Sequence, residues 1–273
     1  MFPDAGPRGR AGRGVPVNST TRDPAAFRPP FVSAAGAARA LAIHGFAVLD
    51  GPEVRVLAGV DADALAALQP SWDALVPDAY LRDGGRYRRR RHASYVVAGG
   101  VVEPAPHRAH WQPVEYNALH GGMERWFEPV EPAVAALPAW GALLRATAAV
   151  ASALKPGVPR WFVEAHQFRI DTTDGIGRPT PEGAHRDGVD LVAVFVLARE
   201  RIRGGETRVF EADGPNGQRF TLDAPWSLLL LDDARVVHES TPIQPLDDAG
   251  GGHRDTLVLT CRAGGFQDAS AAG

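Results

Sequence analysis

The chain has one cysteine, Cys261, in 273 residues, so no disulfide can close within it and a disulfide-stapled secreted fold is excluded. Positive charge is not in excess: 29 lysines and arginines stand against 32 aspartates and glutamates, for a formal charge of −3 and a pI near 6.3. Neutralising nucleic-acid phosphates needs the opposite balance, so no nucleic-acid partner is expected and a small polar or anionic substrate remains open. Long apolar runs are missing too. The longest, such as the leucines at 228–231, fall far short of the ~20 residues that cross a bilayer, and no membrane span is expected. The amino terminus lacks the charged-then-apolar pattern of a secretory signal. These absences predict a cytoplasmic protein without internal repeats, and a homodimer is compatible with the composition.

What is present is enough apolar sequence, 45%, to bury one large core. Residues 1–30 are rich in Gly, Pro, Arg, Ser and Thr and show no apolar periodicity. Such a segment cannot offset its ordering entropy and is expected to be a disordered tail, leaving 31–273 as a single domain. Helix signals cover 33–44 (SAAGAARALAIH, with a serine cap), 61–68 (DADALAAL, acids first) and 134–154, an Ala/Leu-rich stretch broken near Pro138. GFAVLD at 45–50 reads as a strand. From about 159 onward short β-patterned runs dominate, among them WFVEAHQFRI, VDLVAVFVLA, WSLLLLDD and DTLVLTCR, separated by Gly, Pro, Asn and Asp clusters. That spacing predicts a sandwich or barrel. The expected class is mainly β with flanking helices (α+β), with an α-rich front half to about 158 and the site in the back half.

In AHRDGVD, His185 and Asp187 are two residues apart; on a strand both would project to one face and could chelate one ion. A third ligand must come from a distant strand, and His238 in DDARVVHES follows a strongly apolar one. Two imidazoles and a carboxylate on one face of an octahedral metal leave open positions, which suits non-haem Fe(II) and O2 chemistry better than a closed zinc site. An isolated HxD is a weak signal, but here it opens a β-rich region and an arginine follows. That arginine, Arg254 in HRDTLVLTCR, is a planar, permanently charged donor suited to the far carboxylate of a dicarboxylic cosubstrate. Alternation puts Arg254, Thr256, Val258, Thr260 and Arg262 on one side of its strand and Leu257, Leu259 and Cys261 on the other. Arg262 lies at the far end, roughly 25 Å away at ~3.3 Å per residue, so Arg254 is preferred.

With those residues in view, EAHQFRI, HRDGVDLV, RGGETRVF, LLLLDDARVVHESTPI and HRDTLVLT, with RYRRRRHASY and HWQPVEYNALHGGMERWFEP upstream, give a chain that resembles the bacterial 2-oxoglutarate/Fe(II) dioxygenases of the L-isoleucine 4-hydroxylase type over roughly 45–262. The resemblance implies a double-stranded β-helix (jelly-roll, cupin-like) core, metal ligands at His185, Asp187 and His238, and 2-oxoglutarate anchored by Arg254. It also implies hydroxylation of a free isoleucine-, leucine- or methionine-like L-amino acid or close derivative, with succinate and CO2 released. Related halogenating sites replace the carboxylate ligand with a small residue; Asp187 is retained here, which favours hydroxylation, with sulfoxidation of a thioether left open.

Further candidates stand beside bland alternatives. Gly204 and Gly205 most simply mark a hairpin turn, with Thr207 just after them able to reach the cosubstrate through its hydroxyl; Gln167 could hydrogen-bond the same molecule or serve as a buried structural amide. The run RYRRRR at 86–91 superficially suggests nucleic acid, but as a strand it would split its charges between two faces. Inward members such as Arg88, together with Arg125, are candidates for gripping a substrate carboxylate. His107, His110, His120 and His166 carry no assigned role. The rival readings are a metal-dependent cupin enzyme that uses no 2-oxoglutarate and a non-catalytic ligand-binding jelly roll.

Overall fold

The computed structural model describes residues 28–247 and 251–269; apart from 28–30, the expected tail lies outside the described residues. Twelve strands form β1 (Phe46–Leu49), β2 (Arg88–Ala98), β3 (Val101–Pro104), β4 (Trp161–Asp171), β5 (Leu191–Glu200), β6 (Ile202–Gly204), β7 (Thr207–Glu211), β8 (Gly217–Phe220), β9 (Ser227–Asp232), β10 (Val236–Ser240), β11 (Ile243–Pro245) and β12 (His253–Arg262). Five helices are α1 (Ala37–His44), α2 (Gly51–Ala58), α3 (Ala62–Ala66), α4 (Pro132–Ala135) and α5 (Pro138–Leu154). A seven-stranded antiparallel sheet runs β1-β9-β5-β12-β4-β2-β3; a smaller sheet runs β10-β7-β8, and β11 pairs with β6. The jelly-roll expectation holds.

The large sheet is buried on both faces, which explains its near-continuous apolar strands. In β9, Leu228 and Leu230 join the core packed under the helices, with Leu41, Trp72, Trp140 and Leu143. Leu229 and Leu231 turn instead to the smaller sheet, where they meet Phe46, Val209, Phe220 and Val236. Each fully buried leucine contributes about 1.5–3 kcal/mol. Two of the helices start where a side chain satisfies a free backbone N–H group: at α2 Asp50 accepts from Glu53 N, and at α3 Asp61 accepts from Ala64 N.

Two expectations need correction. The front half contributes more than the expected strand at 45–50, which is β1: β2 and β3 also join the large sheet, and α2, over GPEVRVLA, is an additional helix. Gly204 and Gly205 do not close a hairpin, because β6 pairs with β11 while β7 pairs with β10. Both glycines take positive φ (80° and 67°) at a corner where the chain changes sheets.

The inward faces of β2, β4 and β12 are in register and form rows. Arg88, Ile170 and Arg254 share the first; Arg90, Phe168 and Thr256 the second; His92, His166 and Val258 the third; Ser94, Glu164 and Thr260 the fourth. Leu257, Leu259 and Cys261 point the other way into the helical core, as alternation requires.

Candidate active site

Over these rows lies the long β4–β5 connection, 172–190. It is not a strand; it touches the smaller sheets through isolated bridges, Gly177 to Ile243 and His185 to His238. His185 N donates to His238 O at 3.1 Å and His238 N to His185 O at 3.0 Å, so the histidines are brought together by backbone pairing. The expected strand alternation is therefore not what orients His185 and Asp187. Gly183 and Gly188 bracket them at φ 82° and 76°, and Asp233 accepts from Asp187 N, Gly188 N and Val189 N at 3.0, 2.7 and 3.0 Å. Burial and the neighbouring Asp187 charge push the Asp233 carboxyl up to about 6 in spite of those donors.

His185, Asp187 and His238 offer ligand atoms all within 4.8 Å of one another. His185 Nδ1 lies 2.9 Å from Gly183 O, so its N–H points at that carbonyl and leaves Nε2 free as a ligand. Burial, reinforced by His185, pushes the His238 imidazole down to about 4, leaving it neutral and able to ligate. Asp187 Oδ1 accepts from Gln112 Nε2 at 3.1 Å, while Gln112 Oε1 accepts from Arg125 at 2.8 Å and from Asn117 at 3.1 Å. The donor set is thus two imidazoles and a carboxylate, with His185 oriented by Gly183 O and Asp187 by Gln112, and it fits an octahedral divalent ion with open positions.

A second buried cluster, His92, His110, Glu164 and His166, also has ligand atoms within 4.8 Å. Its chemistry is different. Arg90 lies 2.7 Å from His166 Nδ1, and Arg108 lies 3.5 Å from Glu164 Oε1; two guanidinium cations so close oppose a divalent ion. His110 Nδ1 lies 3.1 Å from Glu164 Oε2. Burial pushes His110 down to about 4 despite that carboxylate. This cluster is a hydrogen-bonded wall.

Two cavities meet at Asp187. The first, about 120 Å³, contains His185, His238, Phe168, Thr256, Val258 and Arg254. Arg254 is 5% exposed, its Nε has no hydrogen-bond partner, and burial together with Arg199 pushes its guanidinium down to about 10. The second, about 80 Å³, shares Phe168, Glu182, Asp187 and Val258 with the first and continues to Arg88, Arg90, Arg125, His110, Glu164 and His166. Arg88 Nε donates to Asp78 at 2.7 Å, and Arg90 stacks between Phe127 and Phe168 at 3.7 and 4.3 Å. Arg88 NH2, Arg90 Nε and Arg125 Nε are nevertheless buried without partners. Three unfilled cationic donors around one cavity call for an anionic group.

The arginine run does split across its strand: Arg88 and Arg90 face in, while Arg89 and Arg91 pair with Asp171 and Glu131. Two second-tier candidates fall outside the site. Gln167 is fully buried on the helix side of β4 and donates to Ser71 Oγ at 2.8 Å, because alternation turns it away from His166 and Phe168. Thr207 is buried on β7 opposite Ser240 and lines neither cavity. Arg262 donates to Gly265 O, outside both linings. Gln112, Glu164 and Glu182 were not singled out by sequence reasoning. A period-two polar face (Arg88, Arg90, His92, Ser94) on a strand whose other face carries Tyr95 and Val97 was the available signal for the wall.

A family model described as 2OG-Fe dioxygenase matches residues 69–260. Among solved structures, a bsmA homolog from Methylobium petroleophilum PM1 is 54% identical with a TM-score of 0.83, over 87% of this chain and 96% of that one. The structure described as IDO from Bacillus thuringiensis is 16% identical (TM-score 0.69, 85% and 96% covered). The Fe(II)/α-ketoglutarate-dependent dioxygenase TqaL is 20% identical (TM-score 0.61, 82% and 85% covered); these two speak to the fold. No curated protein matches the chain.

Proposed function

Because the chain belongs to the 2OG-Fe dioxygenase family, whose members use Fe(II), 2-oxoglutarate and O2, we propose that it hydroxylates a C–H bond of a free L-amino acid or close derivative, isoleucine-, leucine- or methionine-like, within one catalytic domain spanning 31–273. The observation that carries this reading is the pair of cavities meeting at Asp187, one ending in Arg254 and the other ringed by Arg88, Arg90 and Arg125. His185, Asp187 and His238 would hold the iron, which when bound supplies O2 activation coupled to decarboxylation of 2-oxoglutarate to succinate and CO2.

The chain's own residues bind and aim. Arg254, at the first row, would take the far carboxylate of 2-oxoglutarate with its planar fork. Arg88 and Arg125 would take the substrate carboxylate, filling N–H groups that are otherwise buried and unmet. Phe168 and Val258 are apolar, line both cavities and flank Asp187, so the reacting C–H bond would lie against them, shielded from water. Charges lining the second cavity balance: Arg88, Arg90 and Arg125 against Glu164, Glu182 and Asp187, which suits a zwitterion.

The test is a screen of free and N-acylated L-amino acids with Fe(II), ascorbate and 2-oxoglutarate, started by admitting air and read as succinate plus a product heavier by one oxygen atom. Succinate release that no amino acid or derivative stimulates would remove this substrate class and leave the family chemistry standing.

A further inference from the structure

We infer that Glu182 receives the ammonium group of the substrate, at the junction of the two cavities; this rests on the amino-acid reading above. Glu182 lines both cavities. Its Oε1 lies 3.5 Å from His185 Nε2, and its Oε2 is buried without a hydrogen-bond partner.

The other inward carboxylates of this region are matched. Asp78 is held by Arg88 at 2.7 Å. Glu164 Oε2 has His110 at 3.1 Å, while its Oε1, although it makes no hydrogen bond, stands within ion-pair range of His92 at 3.3 Å and Arg108 at 3.5 Å; Asp187 accepts from Gln112. A buried carboxylate oxygen left unmet is costly unless a cation or donor completes it. Two occupants qualify, the iron itself and a substrate ammonium.

Coordination decides between them. An octahedral ion held by His185, Asp187 and His238 would need its remaining positions for 2-oxoglutarate and O2, and a fourth protein ligand would remove one of them. The ammonium has the right partner nearby, because the Glu182 and Arg125 charges act on one another across the second cavity. An α-amino acid bridging them would put its carboxylate on the arginines and its ammonium on Glu182. Its side chain would then start beside Phe168, Val258 and the metal ligands. Glu182 is thereby a binding residue that fixes which carbon faces the metal.

The experiment is calorimetric titration of the anaerobic Fe(II)- and 2-oxoglutarate-loaded protein with L-isoleucine, L-leucine and L-methionine, and with their amine-free counterparts 3-methylpentanoate, 4-methylpentanoate and 4-(methylthio)butanoate. Wild type should prefer the amino acids by about 30-fold or more, the low end for a buried charge pair. Glu182→Gln should lose that preference while Fe(II) and 2-oxoglutarate affinities stay unchanged, and Glu182→Asp should restore part of it. A Glu182→Gln protein that keeps the preference for amino acids overturns the inference. So does a loss of Fe(II) affinity in that variant, which would make Glu182 a metal ligand. Binding of none of the amino acids to wild type would instead bring down the amino-acid reading, and this inference with it.

Discussion

Replacing Arg254 by alanine tests the cosubstrate cavity most sharply. The side chain is 5% exposed and its Nε is unpartnered, so in the ligand-free protein it is a desolvated charge beside a second one, Arg199. Losing it removes an unfavourable charge from the free protein and the whole clamp from the complex. Truncating one partner of such a buried pair costs roughly 2–5 kcal/mol, about 30- to several-thousand-fold in Kd at ~1.4 kcal/mol per tenfold. A thermal-shift assay of metal-loaded protein reads this directly. At a cosubstrate concentration of 100 Kd the wild type gains about 2.7 kcal/mol, roughly 5–10 °C for a domain of ~200 residues. At the same concentration the variant should gain under about 1 kcal/mol, or less than ~3 °C. Arg262→Ala is the control, since its guanidinium donates to Gly265 O outside the cavity. A full cosubstrate shift in Arg254→Ala, above all with a lost one in Arg262→Ala, would refute the assignment.

Three other outcomes are expected. His185→Ala, Asp187→Ala and His238→Ala should each abolish turnover and Fe(II) binding while leaving the circular-dichroism spectrum near wild type; wild-type iron affinity in any of them would strike that residue from the ligand set. Gln112→Ala removes the donor to Asp187 Oδ1 and the acceptor for Arg125, and should lower metal affinity or kcat about 10- to 100-fold, read by metal titration and steady-state kinetics. Asp78→Asn strands the buried Arg88 and Arg90 and should destabilise the fold by about 3–5 kcal/mol in urea unfolding. Burial raises the Asp78 carboxyl, but Arg88 and Arg90 outweigh it and hold it below its ordinary 3.8. The wild-type contribution is therefore present above about pH 4 and lost as pH falls below it, and a variant as stable as wild type at pH 7 would contradict the pairing.

The strands with both faces buried were legible because apolar runs such as SLLLLD are hard to place elsewhere. The meeting of His185, Asp187 and His238 was legible from residue type and order, although the expected cause was wrong: glycines and Asp233 shape that segment, and single-strand alternation does not. Gln112 was not legible, since it sits in a loop and meets Asp187, 75 positions away, only through tertiary packing; Glu182, in a loop three residues before His185, is marked only by the two cavities it lines. Gln167 and Thr207 failed for the converse reason. Polarity near the motif nominated them, and alternation or sheet pairing turned them elsewhere.

One irregularity in the large sheet reaches further than its size suggests. Where β12 meets β5, Asp255 faces Ala198 but Thr256 faces Val196, so Leu197 is an extra residue on β5. On either side of it the inward positions of β5 have opposite parity: Val192, Val194 and Val196 before, Arg199 after. A single inserted leucine therefore works as an electrostatic element, although it carries no charge. Paired regularly, the same sequence would set Ala198 opposite Arg254; with Leu197 bulged out, Arg199 stands there and its charge acts on Arg254. Within this fold, the presence or absence of a bulge in β5 is a route to changing anion affinity that a residue-by-residue comparison of cavity linings would not register.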